Sequence, residues 1–122
     1  MTRILLVDDE TAILNVLKDF FSTEGYDVTD ISDSAQAAGI LDSKDRFDIM
    51  ISDIRMDPIS GMELLEISRK LRPKMPVILI TGYGSRETFN QARELGAFDC
   101  IAKPFMPVVL LTAVEKALKG NK

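Results

Sequence analysis

The chain has 122 residues, with 19 acidic against 15 basic side chains and a formal net charge of −4. That length suits one domain with one core and needs no disulfide or metal staple, and a composition of 46% hydrophobic and 28% charged residues excludes disorder. The acidic balance argues against nucleic-acid binding through this domain, since phosphates need a basic patch. A lone cysteine, Cys100, precludes an internal disulfide framework, and the four apolar residues after Met1-Thr2-Arg3 are too few for a signal peptide or a membrane span. A cytoplasmic protein without a membrane partner is therefore expected.

Along the chain, short apolar runs alternate with stretches of helical period. Residues 4–7 read as a first strand that delivers Asp8 and Asp9. Ile13, Val16, Leu17 and Phe20 follow as one face of a helix closing at Gly25. Residues 28–31, interrupted by Thr29 and Asp30, make a weaker strand. Ser34 is the expected N-cap of a short helix burying Ala38 and Leu41. Residues 49–51 form a third strand leading to Asp53. Leu64, Leu65, Ile67 and Leu71 mark the next helix, which Pro73 stops. Residues 77–80 are a fourth strand ending at Thr81-Gly82, and Phe89, Ala92 and Leu95 give a thin helical stripe before Gly96. Residues 98–102 make a fifth strand with Lys103-Pro104 at its end. Leu110, Ala113, Val114 and Ala117 line the last helix, with Pro107 near its first turn.

Strands each followed by a helix predict an α/β fold with a parallel sheet. The first, third and fourth strands are continuously apolar, as strands buried on both faces should be. The second and fifth carry Asp30 and Asp99, which suits edges. Right-handed crossovers then favour the order 2-1-3-4-5, a single doubly wound, flavodoxin-like domain over residues 1–122. Ligands in such sheets sit beyond the carboxyl ends of the strands.

At that edge the predicted strands deliver Asp8 and Asp9, Asp53, Thr81 and Lys103. Alone, each has an ordinary reading as a cap or turn residue. Together they set three carboxylates where like charges repel, at a cost on the order of 4 kcal/mol per pair at ~4 Å and an effective dielectric of ~20. Only Lys103 offsets this charge locally. Oxygen ligands partly open to water suit Mg²⁺, and a chain without histidine and with one cysteine makes no zinc site. A carboxylate beside such an ion can attack a phosphoryl group, while Thr81 and Lys103 bind phosphoryl oxygens.

These residues resemble the receiver domain of bacterial two-component response regulators over essentially the whole chain. The matching features are Leu5-Leu6-Val7-Asp8-Asp9-Glu10, Ser52-Asp53-Ile54-Arg55-Met56 with Gly61 eight residues after Asp53, Thr81-Gly82, and Lys103-Pro104-Phe105. The resemblance implies that Asp53 is the phosphoacceptor and that Mg²⁺ is held by Asp8, Asp9, Asp53 and the backbone carbonyl of Arg55, with Asp9 a direct ligand. It implies that Thr81 and Lys103 bind the phosphoryl group and that Lys103-Pro104 is cis. The implied phosphodonor is a sensor histidine kinase or phosphotransfer protein. The aspartyl phosphate is later hydrolysed, so the domain catalyses only its own phosphorylation and dephosphorylation. Either a stand-alone receiver or one with a covalently linked output domain, that of a transcriptional activator, is expected, and a phosphorylation-dependent homodimer is a further expectation.

Two positions depart from the family pattern. Asp57 stands where the family has proline, with Pro58 next. Cys100 stands at the switch position, usually Tyr or Phe, and is expected to be a small buried hydrophobe rather than a redox sensor. Thr81, Tyr83 and Cys100 are thus the switch set, with Tyr83, between Gly82 and Gly84, taking over part of the aromatic's role. The alternative is a receiver-like interaction module that is never phosphorylated. A haloacid dehalogenase-type phosphohydrolase wants an acid where Arg55 stands, and in a flavin carrier Asp8-Asp9-Glu10 would repel the phosphate.

Overall fold

The continuously apolar runs form the middle of one parallel sheet. The computed structural model describes residues 1–82 and 84–120. In it β1 (Arg3–Val7), β2 (Asp27–Ile31), β3 (Ile49–Asp53), β4 (Val77–Thr81) and β5 (Asp99–Ala102) alternate with α1 (Thr11–Thr23), α2 (Ser34–Leu41), α3 (Gly61–Leu71), α4 (Arg86–Glu94) and α5 (Pro107–Gly120). The strand order is β2-β1-β3-β4-β5, and every pairing is parallel. The expected fold class and order are both met. Edge strands β2 and β5 carry the predicted charges, and Asp30 pairs with Lys18 at 3.1 Å.

Alternation along the strands divides the core in two. Leu5, Val7, Met50, Val77 and Leu79 pack on one side with Ala37, Leu41, Leu64, Leu65 and Ala92 from α2, α3 and α4. Ile4, Leu6, Ile49, Ile51, Ile78 and Ile80 pack on the other with Leu14, Leu17 and Phe21 of α1 and Leu110, Val114 and Ala117 of α5. Each such large side chain stabilises the fold by roughly 1.5–3 kcal/mol through burial. Truncating Leu64 or Leu110 to alanine is expected to cost about 2–5 kcal/mol.

Local details differ from the expectation where two positions compete. The buried stripe of α1 is Leu14, Leu17 and Phe21, so of the expected Ile13, Val16, Leu17 and Phe20 only Leu17 is fully buried, and Val16 is 58% exposed. The N-cap of α2 is Asp33, whose carboxylate accepts from Ala35 N at 2.9 Å. Ser34 is instead buried, and its hydroxyl accepts from Ile59 N at 3.0 Å, tying α2 to the segment after β3. In α2 it is Ala37, not Ala38, that is fully buried beside Leu41. Leu71 and Phe98, at the ends of α3 and just before β5, are exposed. Ser60 and Glu63 form a reciprocal capping box on α3. Gly25 and Gly96 take φ values of +94° and +98° just past α1 and α4, a conformation that favours glycine. Among the described residues no helix is long and apolar enough to cross a membrane.

Candidate functional site

Backbone hydrogen bonds extend the parallel ladder past three strand ends and fix what lies there. Asp8 N donates to Ile31 O at 3.1 Å, Ile54 N to Ile80 O at 2.9 Å, and Lys103 N to Thr81 O at 2.7 Å. Asp8, Asp53, Thr81 and Lys103 are thereby brought to one edge, as predicted. Asp8 and Asp53 are only 1% and 5% exposed, and Thr81 is buried at the end of β4.

The Lys103 ammonium sits among three carboxylates. Its Nζ lies 2.8 Å from Glu10 Oε1, 3.3 Å from Asp53 Oδ2 and 3.4 Å from Asp8 Oδ2. One oxygen each from Asp8, Glu10 and Asp53 falls within 4.8 Å of the others. Asp8 Oδ1 accepts from Glu10 N at 2.9 Å and Asp53 Oδ1 from Ile54 N at 2.9 Å. The buried Asp8 Oδ2 has no hydrogen-bond partner among the described residues.

This crowding shapes the protonation equilibria. Burial, then the neighbouring Asp8 charge, pushes the Asp53 carboxyl up to about 6, with Lys103 pulling the other way. Burial likewise raises Asp8, against the Glu10 amide and Lys103. For Lys103, burial favours the neutral amine, but the Glu10 hydrogen bond and the Asp8 and Asp53 charges outweigh it, so the ammonium is held above its usual range. Three carboxylates against one ammonium leave a negative excess. An all-oxygen donor set with one buried oxygen lacking a hydrogen bond fits a hard divalent cation such as Mg²⁺.

The other expected residues lie around this centre. Asp9 is exposed and outside the close carboxylate group. It lines a shallow hollow with Ile54, Arg55, Met56, Asp57 and Ser60. Asp57 is exposed, and both Asp57–Pro58 and Lys103–Pro104 are cis. Cys100 is half-buried against the core side formed by α2, α3 and α4. Tyr83 lies outside the described residues. Sequence reasoning missed Glu10. It is the N-cap of α1 but makes no side-chain capping bond. A glutamate is a poor N-cap, and that mismatch beside Asp8-Asp9 was the available signal.

The family model described as the response regulator receiver domain matches residues 4–115. The transcriptional regulatory protein GlrR of Escherichia coli (strain K12) is 35% identical over 119 residues, covering 98% of this chain and 27% of GlrR. The chain thus spans about a quarter of the length of that curated relative. The crystal structure of a CheY-like response regulator receiver domain protein from Methanospirillum hungatei JF-1 superposes with a TM-score of 0.93 at 36% identity, covering 99% of this chain and 96% of that one. The solution structure of the beryllofluoride-activated NtrC4 receiver domain dimer has a TM-score of 0.91 at 28% identity and covers both chains fully, 100% of each. A family match over nearly the whole sequence, with relatives alike in both sequence and fold, makes this chain a response regulator receiver domain, a signalling domain of two-component systems.

Proposed function

We propose that this domain is a phosphorylation-controlled switch in which Asp53 is the phosphoacceptor. The supporting observation is the Lys103 ammonium 3.3 Å from Asp53 Oδ2, beside the buried Asp8 oxygen that has no hydrogen-bond partner among the described residues. An Asp53 carboxylate oxygen attacks the phosphorus of a phosphohistidine on a sensor kinase or phosphotransfer protein. The P–N bond breaks, and the imidazole leaves with its electron pair. Lys103 and Thr81 take the phosphoryl oxygens. Water later attacks the same phosphorus, releasing inorganic phosphate and returning the carboxylate. Asp8, Asp9, Asp53 and the Arg55 carbonyl would hold Mg²⁺, which when bound offsets the charge of the carboxylates and the incoming phosphoryl group.

Similarity to a transcriptional regulator of about four times this length supports a role as the receiver for an output domain, with residues 1–122 as the switch unit. The likeness to a beryllofluoride-activated receiver dimer supports homodimer formation on phosphorylation. A sensor kinase as donor carries with it a cytoplasmic location. The test is incubation with acetyl phosphate and Mg²⁺ followed by intact mass measurement. One added phosphate is expected, lost in Asp53→Asn and without Mg²⁺. Label on another residue of the wild type overturns the assignment.

A further inference from the structure

The shortest contact of Lys103 is to none of the expected site residues. Its Nζ is 2.8 Å from Glu10 Oε1, against 3.3 Å and 3.4 Å to Asp53 and Asp8. The three partners are also unlike in surroundings. The Asp8 and Asp53 side chains are 2% and 7% exposed, whereas that of Glu10 is 58% exposed. Separating a buried ion pair strands a charge with no water to take its place. An exposed carboxylate is rehydrated at once, so its pair is worth little. The closest of the three contacts is therefore also the easiest to give up.

We propose that Glu10 is a positioning residue that holds the Lys103 ammonium while Asp53 is unmodified and is the contact surrendered when Asp53 carries a phosphoryl group. The inference rests on the reading of Asp53 as phosphoacceptor. A phosphoryl group brings three strongly accepting oxygens and additional negative charge, and Lys103 has three N–H donors to share. Turning those donors toward the phosphoryl oxygens removes them from Glu10. Glu10 thus competes with the phosphoryl group for one ammonium and sets how readily the domain enters its phosphorylated state. The same competition explains why a residue at the start of α1 spends its side chain on Lys103 rather than on its own helix amides.

Beryllofluoride affinity at saturating Mg²⁺ tests this in wild type, Glu10→Gln and Glu10→Asp. Glu10→Gln removes the charge. Glu10→Asp keeps the charge but shortens the arm by one methylene and suits the N-cap, so its carboxylate turns to the α1 amides. Both variants are expected to bind beryllofluoride about two- to fivefold more tightly than wild type, the range that an exposed ion pair allows. Mg²⁺ affinity, read from melting shifts without beryllofluoride, is expected to fall in Glu10→Gln, which removes one charge of the carboxylate group, and less in Glu10→Asp, which keeps it. A gain in Glu10→Gln alone would mean plain charge repulsion and overturn the grip. Equal beryllofluoride affinities in all three proteins would overturn it as well. Failure of the wild type itself to bind beryllofluoride would instead refute the Asp53 reading.

Discussion

Gly61 closes directly on the backbone of Asp53. A Cβ at Gly61 would overlap the Asp53 carbonyl oxygen and stand 2.8 Å from Ile54 Cα, while Gly61 N donates to Ile54 O at 2.8 Å. The start of α3 is thus seated against the strand end that carries the central carboxylate. Since these obstacles are backbone atoms, they cannot rotate aside.

Gly61→Ala is accordingly expected to destabilise the fold by about 1–3 kcal/mol, the usual cost of overpacking. Gly39→Ala is the matched control. Gly39 lies inside α2 with nothing within 4 Å of an added Cβ, so alanine there stabilises by about 0.5–1 kcal/mol. Urea denaturation of both variants checks the pair. Similar effects in the two would remove the steric argument.

Added Mg²⁺ is expected to raise the melting temperature, because binding to the folded state alone stabilises it by mass action, about 2.7 kcal/mol at a hundredfold excess over Kd. The carboxylates crowded around Asp8 and Asp53 are the source. Asp8→Asn and Asp53→Asn should each lose most of this response while melting higher than wild type in metal-free buffer near neutral pH, since each relieves repulsion. The chain has no tryptophan, so calorimetry or far-UV circular dichroism is the readout. A full Mg²⁺ response in Asp8→Asn would remove Asp8 from the ligand set.

The raised Asp53 carboxyl gives the metal-free protein an unusual pH dependence. Its value is about 6 in the folded chain against an ordinary 3.8, through burial and then Asp8. Between those values the folded state binds more protons than the unfolded state, so stability falls as pH rises from 4 toward 6. The contribution is on the order of 1–3 kcal/mol, and it is absent in Asp53→Asn. Chemical denaturation of the two proteins between pH 4.5 and 7.5 (~0.5 steps) isolates it from other carboxylates. The wild type should lose ground to the variant as pH rises; a constant difference would contradict the burial of an ionised Asp53.

The sheet was legible because β1, β3 and β4 carry the apolar runs 4–7, 49–51 and 77–80, a pattern that suits central strands of a parallel sheet. The carboxyl-edge residues followed from strand ends alone, since the ladder bonds after Val7, Asp53 and Ala102 leave them no other place. What was not legible turned on choices between adjacent side chains. Val16 and Leu17 fit the helical period equally, and only packing under β2 selects Leu14, Leu17 and Phe21. Asp33 and Ser34 both suit an N-cap, and the Ile59 amide decides by engaging Ser34. Glu10 escaped notice because it lies past the strand end at the start of α1, and only its poor fit as an N-cap hints that its side chain turns back to Lys103.

Cys100 is expected to be chemically quiet. It is half-buried, and burial, then the adjacent Asp99 charge, pushes the thiol up to about 11 from 9.0. The Asp99 carboxylate is held close by accepting from Cys100 N at 2.8 Å. The thiolate is the reactive form in alkylation and in oxidation to sulfenic acid, so a rise of this size lowers the reactive fraction about a hundredfold at neutral pH. Iodoacetamide labelling at pH ~7.5 should thus be about tenfold or more slower in the folded chain than in urea, the lost thiolate fraction outweighing the greater nucleophilicity of a higher-pKa thiolate. Hydrogen peroxide should leave Cys100 of the folded protein unmodified on the timescale that oxidises a free cysteine, with any added oxygen confined to exposed methionines such as Met1 and Met106. A redox sensor would need the reverse environment, with a cation or helix N-terminus lowering the thiol pKa. Among the described groups, the charge that shifts Cys100 is an acid. Labelling as fast in the folded chain as in urea would show the thiol to be open and ionisable, and the packing role of Cys100 against the α2, α3 and α4 side of the core would then have to be abandoned.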